Sequence, residues 1–361
     1  MLSKFKFKKE GKINSNVLNI IIVGLLFIGL IIYMFLVEDI ENMVNIISEL
    51  NYKWIFIGII CMVLYWLLES LCLHIVTKKT YKNQSFLGTL RVSMIGQLFN
   101  CITPFSSGGQ PMQAVAMVND GKNISSSASI LLIKFIVYQA TLVIYTLILI
   151  IWKYVYFRNL VSNFIYLALV GFAVNLAVIV FLILIGINKK LVYGFVGGVY
   201  KFLGKIKIIK DVSKSLSNLE KSIDNFHDQF KVIQKEKIMI GKMTIYTTIQ
   251  LTVFFFVTYA IYRAFGQSGA SVINIISAQA FLLMVMAFIP IPGAGIAAEG
   301  GFFIIFSTFF ESSKINMAIL FWRIYTFYLP IIVGALFLFI NNKKSKEKIK
   351  LTTKGVDVNV I

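Results

Sequence analysis

Two long apolar segments of this chain are each broken in the middle by proline and glycine, and this feature constrains the fold most. The sequence TPFSSGGQP interrupts the segment from Leu87 to Val118, and PIPGAGIAAEGG interrupts the segment from Val272 to Phe310. Proline removes a backbone donor and clashes with the preceding turn, so paired proline and glycine end helices. Within a bilayer, broken backbone is tolerated only where protein or a water-filled cavity satisfies its polar groups. Both breaks are therefore predicted to lie inside a helical bundle.

Unbroken apolar runs surround these segments, and each is longer than the ~18 residues that a helix needs to cross a bilayer. Six spanning helices are predicted: Val17–Val37, Trp54–Val76, Ser126–Ile151, Phe164–Ile187, Met243–Phe265 and Ile315–Ile340. Hydrophobic residues make up 58% of the 361 positions and charged residues 14%, a balance that argues against a soluble protein. The predicted fold class is all-α: a polytopic integral membrane protein with one transmembrane domain over residues 17–340.

Basic residues flank the apolar runs, which is the pattern of topology determinants. They concentrate in the arm 1–16, in the tail 341–361, and in the loop 188–242, which holds twelve lysines and five acidic residues. If all three are cytoplasmic, each broken segment enters and leaves on one side of the membrane. The first is then re-entrant from the cytoplasm and the second from outside. We expect a bacterial plasma-membrane protein with both termini cytoplasmic, and no nucleic-acid partner despite a net charge of +19.

The order of elements repeats between residues 54–151 and residues 243–340. Each half holds a span, a broken segment and a closing span, and the first half starts outside whereas the second starts inside. Each closing span carries one cation: Lys134 lies 30 residues after Pro104, and Arg323 lies 31 residues after Pro292. Inverted repeats with discontinuous helices are typical of transport folds. The sequence therefore predicts two oppositely oriented re-entrant hairpins in an inverted repeat.

Charged side chains deep in a membrane are costly and usually face the bundle interior or a polar cavity. Glycine-rich turns, helix N-termini and buried cations together favour an anionic ligand such as a phosphate. The predicted substrate-binding residues are Thr103, Pro104, Ser106, Gly108, Gly109, Gln110, Pro111, Lys134, Pro290, Pro292, Gly293, Gly295, Glu299, Gly300 and Arg323. Ion pairs with a purely structural role are the alternative for Lys134, Glu299 and Arg323. Glu69 and Arg91 are further ionisable residues at membrane depth.

The polar loop contains apolar residues at three- and four-residue steps from Val212 to Phe226, which predicts an amphipathic helix on the inner membrane surface. A partner-binding helix is the alternative. His227, among charged neighbours, is expected to be exposed. The chain shows no P-loop, G-x-S-x-G motif or metal-ligand cluster, so no catalytic residue, cofactor or metal is predicted.

Two motif segments carry a family resemblance. The segments GQLFNCITPFSSGGQPM and IPIPGAGIAAEGGF resemble the two signatures of the lysylphosphatidylglycerol synthase transmembrane (flippase-like) family. The resemblance covers the chain from Leu18 to Ile340 and implies lipid translocation, because the membrane part of full-length members flips aminoacylated phosphatidylglycerol to the outer leaflet. Full-length members also append a soluble domain that transfers lysine from lysyl-tRNA. About twenty polar residues follow Ile340 here, so that activity is not expected.

The first functional hypothesis is a lipid translocase for an anionic or aminoacylated phospholipid, such as lysyl-phosphatidylglycerol, or for a polyprenyl-phosphate-linked lipid. One alternative is a phosphatidylglycerol lysyltransferase that acts alone or with a separate subunit. The other is a membrane scaffold for such an enzyme. The expected partners are membrane lipids with anionic headgroups, and a homo-oligomer or a separate lipid-modifying enzyme stays open.

Overall fold

The computed structural model describes residues 40–160, 164–194, 197–198, 212–286 and 295–339. The predicted first span, the basic arm and tail, and Pro290, Pro292 and Gly293 lie outside the described residues. Within them, every regular element is a helix. The helices are α1 (Ile40–Ser48), α2 (Tyr52–Thr80), α3 (Phe86–Ile102), α4 (Gly109–Asn119), α5 (Ile124–Trp152), α6 (Tyr154–Leu160), α7 (Phe164–Ile187), α8 (Val212–Gln234), α9 (Lys237–Ala264), α10 (Val272–Met286), α11 (Gly295–Phe306), α12 (Ile315–Arg323) and α13 (Leu329–Phe339).

Five helices in the described part of the chain are long and apolar enough to cross a membrane. They are α2, α5, α7, α9 and the continuous helix from Ile315 to Phe339. The prediction of an all-α, multi-pass membrane protein is confirmed, and these five helices correspond to the last five predicted spans. Helix α9 begins at Lys237 rather than Met243, because the predicted span was started after Lys242, the last charged residue before the long apolar run, and a helix can begin outside the apolar stretch.

Helices α2 and α9 form an antiparallel pair at the centre of the bundle. The backbone N–H of Asn51, before α2, donates to the carbonyl oxygen of Ala264 at the end of α9 over 2.8 Å. At the other end, the Lys79 ammonium lies 2.7 Å from the Glu236 carboxylate, which precedes α9. Since each repeat begins with one of these two helices, the second repeat is inverted relative to the first.

The first broken segment folds into a hairpin of α3 and α4, and both ends of the hairpin lie at the same end of α2. Arg91 in α3 contacts Asp120 after α4 at 2.6 Å, and the backbone N–H of Asn123 donates to the Tyr81 hydroxyl over 3.0 Å. Burial lowers the pKa of the Lys122 ammonium, which lies 3.9 Å from Asp120. The 17 residues of α3 span roughly 25 Å, less than the ~30 Å of a hydrocarbon core. The hairpin therefore turns back before it crosses.

The second broken segment also returns to its starting side. Helices α10 and α11 pack together, with the side chain of Leu282 against Gly301. Phe310, after α11, lies with its ring centroid 5.5 Å from that of Tyr262 and 6.1 Å from that of Phe265, at the end of α9. Because α9 runs antiparallel to α2, the two hairpins open toward opposite faces of the bundle, as predicted.

The closing helix of the second repeat contains a π-helical turn, Ile324–Tyr328, directly after Arg323. The backbone N–H of Leu329 donates to the Ile324 carbonyl oxygen, one residue beyond the α-helical partner. Pro330 follows, and its ring lacks the N–H that an unbroken α-helix would use. Such π turns widen a helix locally and often occur at functional sites.

Helix α8 docks onto the bundle along its apolar face. Phe226 and Ile233 are buried, and the Ser129 hydroxyl of α5 donates to the Phe226 carbonyl oxygen over 2.8 Å. The expectation that His227 is exposed is wrong, because its side chain is fully buried and its Nδ1 lies 2.9 Å from the Ile223 carbonyl oxygen. Its position four residues after Ile223 places it on the apolar stripe, and this helical periodicity outweighs the charge of its sequence neighbours.

Candidate functional site: a polar cavity between the repeats

A cavity of about 650 Å³ lies inside the bundle where helices of both repeats meet. The first repeat contributes α2, α3, α4 and α5, the second contributes α9, α10 and the closing helix, and α7 completes the wall. Four predicted site residues line it: Ser106, Gln110, Lys134 and Arg323. The volume falls within the range of sites for small ligands or headgroups, about 300–1,000 Å³.

A buried ion pair between Lys134 and Glu69 occupies the first-repeat side of the cavity. The Lys134 Nζ lies 2.6 Å from Glu69 Oε1, and the Gln97 amide donates to the other carboxylate oxygen. The two charged side chains are 13% and 8% exposed. A buried pair is stable only when further hydrogen bonds satisfy it, and Gln97 supplies one. Glu69 was absent from the predicted site, although a carboxylate within an apolar span was the available signal.

The second-repeat side of the cavity holds Arg323, which pairs with Glu299. Arg323 Nε lies 3.3 Å from Glu299 Oε1, and the side chains are 8% and 26% exposed. The guanidinium carbon lies 5.2 Å from the ring centroid of Trp322 and 5.5 Å from that of Phe327, distances suited to cation–π attraction. Of the two cations in the closing helices, Glu299 therefore contacts Arg323, whereas Lys134 has its own partner in Glu69.

Thr103 closes the turn between α3 and α4. Its hydroxyl donates to the Phe99 carbonyl oxygen over 2.6 Å and accepts from the backbone N–H of Gly108 over 2.8 Å. The Ser107 hydroxyl donates to the Pro104 carbonyl oxygen over 2.8 Å. These contacts occupy the Gly108 N–H and the Ser107 hydroxyl inside the turn. The polar side chains of this loop that line the cavity are those of Ser106 and Gln110.

The turn also holds two residues in the left-handed region of backbone space. Phe105 has φ of 54° and Ser106 has φ of 51°. Non-glycine residues rarely adopt this conformation, and where the surrounding structure maintains it, a functional site is often close by. The conformation brings both side chains to the cavity wall, where Phe105 is 57% exposed.

The remaining predicted residues of the described chain hold helix ends or packing positions. Pro104 starts a short 3₁₀ turn, Pro111 lies in the first turn of α4, and Gly295 begins α11. Gly109 packs against Asn100, so that a side chain there would overlap the amide. Gly300, in α11, has open space where a side chain would lie.

Amide side chains from apolar helices add further polar groups to the cavity. Gln139 of α5 donates to Asn175 of α7, and both residues line the wall. Gln279 of α10 also lines it and accepts a hydrogen bond from the Thr258 hydroxyl over 2.8 Å. The sequence prediction missed these residues, although uncharged amides inside apolar runs mark interhelical contacts. In the described ranges, no cluster of three histidine, cysteine or acidic residues could hold a metal ion.

Comparison with known protein families shows that the chain matches one family over most of its length. The family model described as the lysylphosphatidylglycerol synthase TM region matches residues 18–334. The protein belongs to this family. A UPF0104 membrane protein of Archaeoglobus fulgidus is 23% identical over 307 residues, which cover 81% of this chain and 88% of the relative.

The family match confirms the resemblance that the two motif segments indicated. The matched region includes both hairpins and all four charged residues of the two ion pairs, Glu69, Lys134, Glu299 and Arg323. The cavity is thus built entirely from the part of the chain that the family shares.

Proposed function

We propose that this protein is a flippase-like lipid translocase that moves the headgroup of a membrane lipid between leaflets. The substrate is an anionic or aminoacylated phospholipid, such as lysyl-phosphatidylglycerol, or a polyprenyl-phosphate-linked lipid. The observation that carries the proposal is the cavity between two inverted repeats, to which each repeat contributes one cation, Lys134 or Arg323. Sites at the interface of inverted repeats with broken helices are a mark of transporters.

The physical obstacle to lipid translocation is the headgroup, because its charges lose their hydration in the hydrocarbon core. The cavity offers replacement partners in the form of two ion pairs and several amides. The acyl chains need no such partners and stay in the bilayer. A translocase therefore needs a polar compartment of headgroup size at membrane depth, and about 650 Å³ meets that requirement.

The two hairpins suggest how the compartment is presented to each leaflet in turn. They open toward opposite faces, so movement of one repeat against the other would expose the cavity first on one side and then on the other. The π turn beside Arg323 and the left-handed residues Phe105 and Ser106 place local irregularity on the cavity wall in both repeats.

Reconstitution into vesicles tests the proposal. Purified protein is expected to exchange a fluorescent phospholipid between leaflets, measured by chemical reduction of the outer-leaflet fluorophore. Replacing Arg323 with alanine removes the cavity's second cation and should abolish exchange. The matched control is Lys79→Ala, which removes a cation from an exposed ion pair outside the cavity and should leave exchange intact. Unchanged exchange in the Arg323 variant would refute this assignment of the site.

The lysyltransferase alternative predicts a different product. Purified protein incubated with lysyl-tRNA and phosphatidylglycerol would form lysyl-phosphatidylglycerol, detected by mass spectrometry. We expect no product, and product formation would replace the translocase proposal.

A further inference from the structure

Each cation of the cavity wall has a carboxylate partner. In the described part of the chain, the charged residues of the wall are Lys134, Arg323 and Glu69. Glu69 pairs with Lys134, and Glu299, which lies outside the wall, pairs with Arg323. The apolar segments 17–37 and 287–294 contain no lysine, arginine, aspartate or glutamate. Counted together with their partner carboxylates, the cations of the site are therefore neutralised one for one, which differs from the excess of positive charge that an anion-binding site would use.

Two further polar groups of the cavity wall have no hydrogen-bond partner within the described structure. Both are donors, the side-chain nitrogens Nε2 of Gln250 and Nε1 of Trp322. Gln250 and Trp322 are each only 2% exposed. Leaving such buried groups unpaired is unfavourable, so a ligand that satisfies them is favoured.

This inference rests on the proposed function and narrows its range of substrates: we infer that the cavity prefers a headgroup in which an ammonium group balances the phosphodiester over the headgroups with a net charge that the proposed function also admits. A zwitterion can open the Glu69–Lys134 pair and take both partners, so no charge is left unpaired. A net anion would leave one unpaired charge in a compartment where solvent screens weakly.

The surrounding groups fit both ends of such a headgroup. The donors of Gln250 and Trp322 suit phosphate or ester oxygens, and the Glu69 carboxylate suits an ammonium. Tyr65 and Tyr138 lie near Glu69 on the cavity wall, so two aromatic rings surround the carboxylate that an ammonium would approach. The same chemistry occurs in phosphatidylethanolamine and in phosphatidylglycerol that carries a neutral amino acid.

Full-length protein in phosphatidylcholine vesicles tests the inference with three tracer lipids that carry the same acyl-chain fluorophore. Phosphatidylethanolamine represents the balanced headgroup, phosphatidylglycerol the net anion, and lysyl-phosphatidylglycerol the net cation. Phosphatidylethanolamine should exchange about tenfold faster than phosphatidylglycerol, and faster than the lysyl lipid. Adding phosphatidylglycerol with a neutral amino acid as a fourth tracer distinguishes the two zwitterionic sources.

Changing the charge of the cavity should change the preference. Glu69→Gln leaves one positive charge in excess and should shift the rate ratio toward phosphatidylglycerol by about tenfold. Reversing the pair with Glu69→Lys and Lys134→Glu restores the balance and should restore the preference for phosphatidylethanolamine. Glu299→Gln makes the same change in net charge at a more exposed carboxylate. It replaces Glu69→Gln in this experiment if the Glu69→Gln protein does not fold. The control Glu236→Gln removes a carboxylate outside the cavity and should leave the ratio as it is.

The outcomes separate this inference from the proposed function. Equal exchange of phosphatidylethanolamine and phosphatidylglycerol would overturn the inference while the translocase proposal stands. An unaltered ratio in a folded, active Glu69→Gln or Glu299→Gln variant would also overturn it. Absence of exchange above protein-free vesicles for every tracer would overturn both.

Discussion

The two repeats use the same plan, but they bury their ion pairs to different degrees. In the first repeat, Lys134 and Glu69 meet at 2.6 Å, and Gln97 binds the carboxylate from a third helix. In the second, Arg323 and Glu299 are 3.3 Å apart and Glu299 is 26% exposed, against 8% for Glu69. The first pair therefore connects α2, α3 and α5. In the second pair, the carboxylate is partly accessible and could bind another partner.

The hairpins differ in the same sense. The arms of the first hairpin interlock where Gly109 meets Asn100, and the Arg91–Asp120 pair closes its base. In the second, Gly301 meets only the Cδ1 end of the Leu282 side chain, and Gly300 has no neighbour within the described residues where a side chain would lie. The comparison indicates that the first hairpin is packed more tightly than the second. Five single substitutions test this difference, from the largest expected effect on stability to the smallest.

Glu69→Gln should lower the free energy of unfolding by about 3–5 kcal/mol, because it leaves the Lys134 ammonium buried without its carboxylate. Chemical denaturation of the purified protein in detergent measures the change. The double variant Glu69→Gln with Lys134→Met removes both charges and should recover most of the loss. A double variant as unstable as the single one would show that the charge was not the cause.

Glu299→Gln should cost less, about 1–3 kcal/mol, because the Glu299 carboxylate is partly exposed and Arg323 retains its contacts with Trp322 and Phe327. The same denaturation experiment gives the comparison directly. A loss as large as that of Glu69→Gln would remove the proposed asymmetry between the repeats.

Gly109→Ala should lower the free energy of unfolding by about 1–3 kcal/mol, since the new methyl group would overlap the Asn100 amide between the two arms of the hairpin. The matched substitution in the other repeat is Gly300→Ala. It has space for the methyl group within a helix and should be neutral or stabilising by up to about 1 kcal/mol. Equal destabilisation by both would contradict the difference in packing.

Glu236→Gln should have the smallest effect, between about 0 and 1 kcal/mol, because the Lys79–Glu236 pair is exposed to solvent, with side chains 47% and 42% accessible. Unfolding midpoints at low and high salt check this value. A loss comparable to that of Glu69→Gln would mean that burial does not govern the strength of these pairs.

Much of this architecture could be predicted from local properties of the chain. The length of the apolar runs indicated the spans, and proline and glycine indicated the hairpins. The basic arm, loop and tail, if placed on one side of the membrane, indicated that the hairpins enter from opposite sides. The site was predicted less completely. Ser106, Gln110, Lys134 and Arg323 reach the cavity, but the partner of Lys134 was missed, because Glu69 lies 65 residues earlier and nothing local connects the two.

The misjudged position of His227 has a similar cause. Its charged sequence neighbours suggested exposure, and the docking of α8 onto α5 decided burial. The role of Thr103 also depends on the closed turn, since its hydroxyl bridges the Phe99 carbonyl and the Gly108 N–H. A residue type indicates which bonds a side chain can make, and packing decides which of them form.

By itself, the sequence determined that this chain is a multi-pass helical membrane protein with two interrupted segments, because apolar length and the missing N–H of proline act within a single segment. Only the tertiary structure decided that each cation of the cavity meets its own carboxylate, Lys134 with Glu69 and Arg323 with Glu299. That pairing depends on how separate helices pack and rotate against one another. It turns a cavity expected to attract an anion into one that holds both charges in balance.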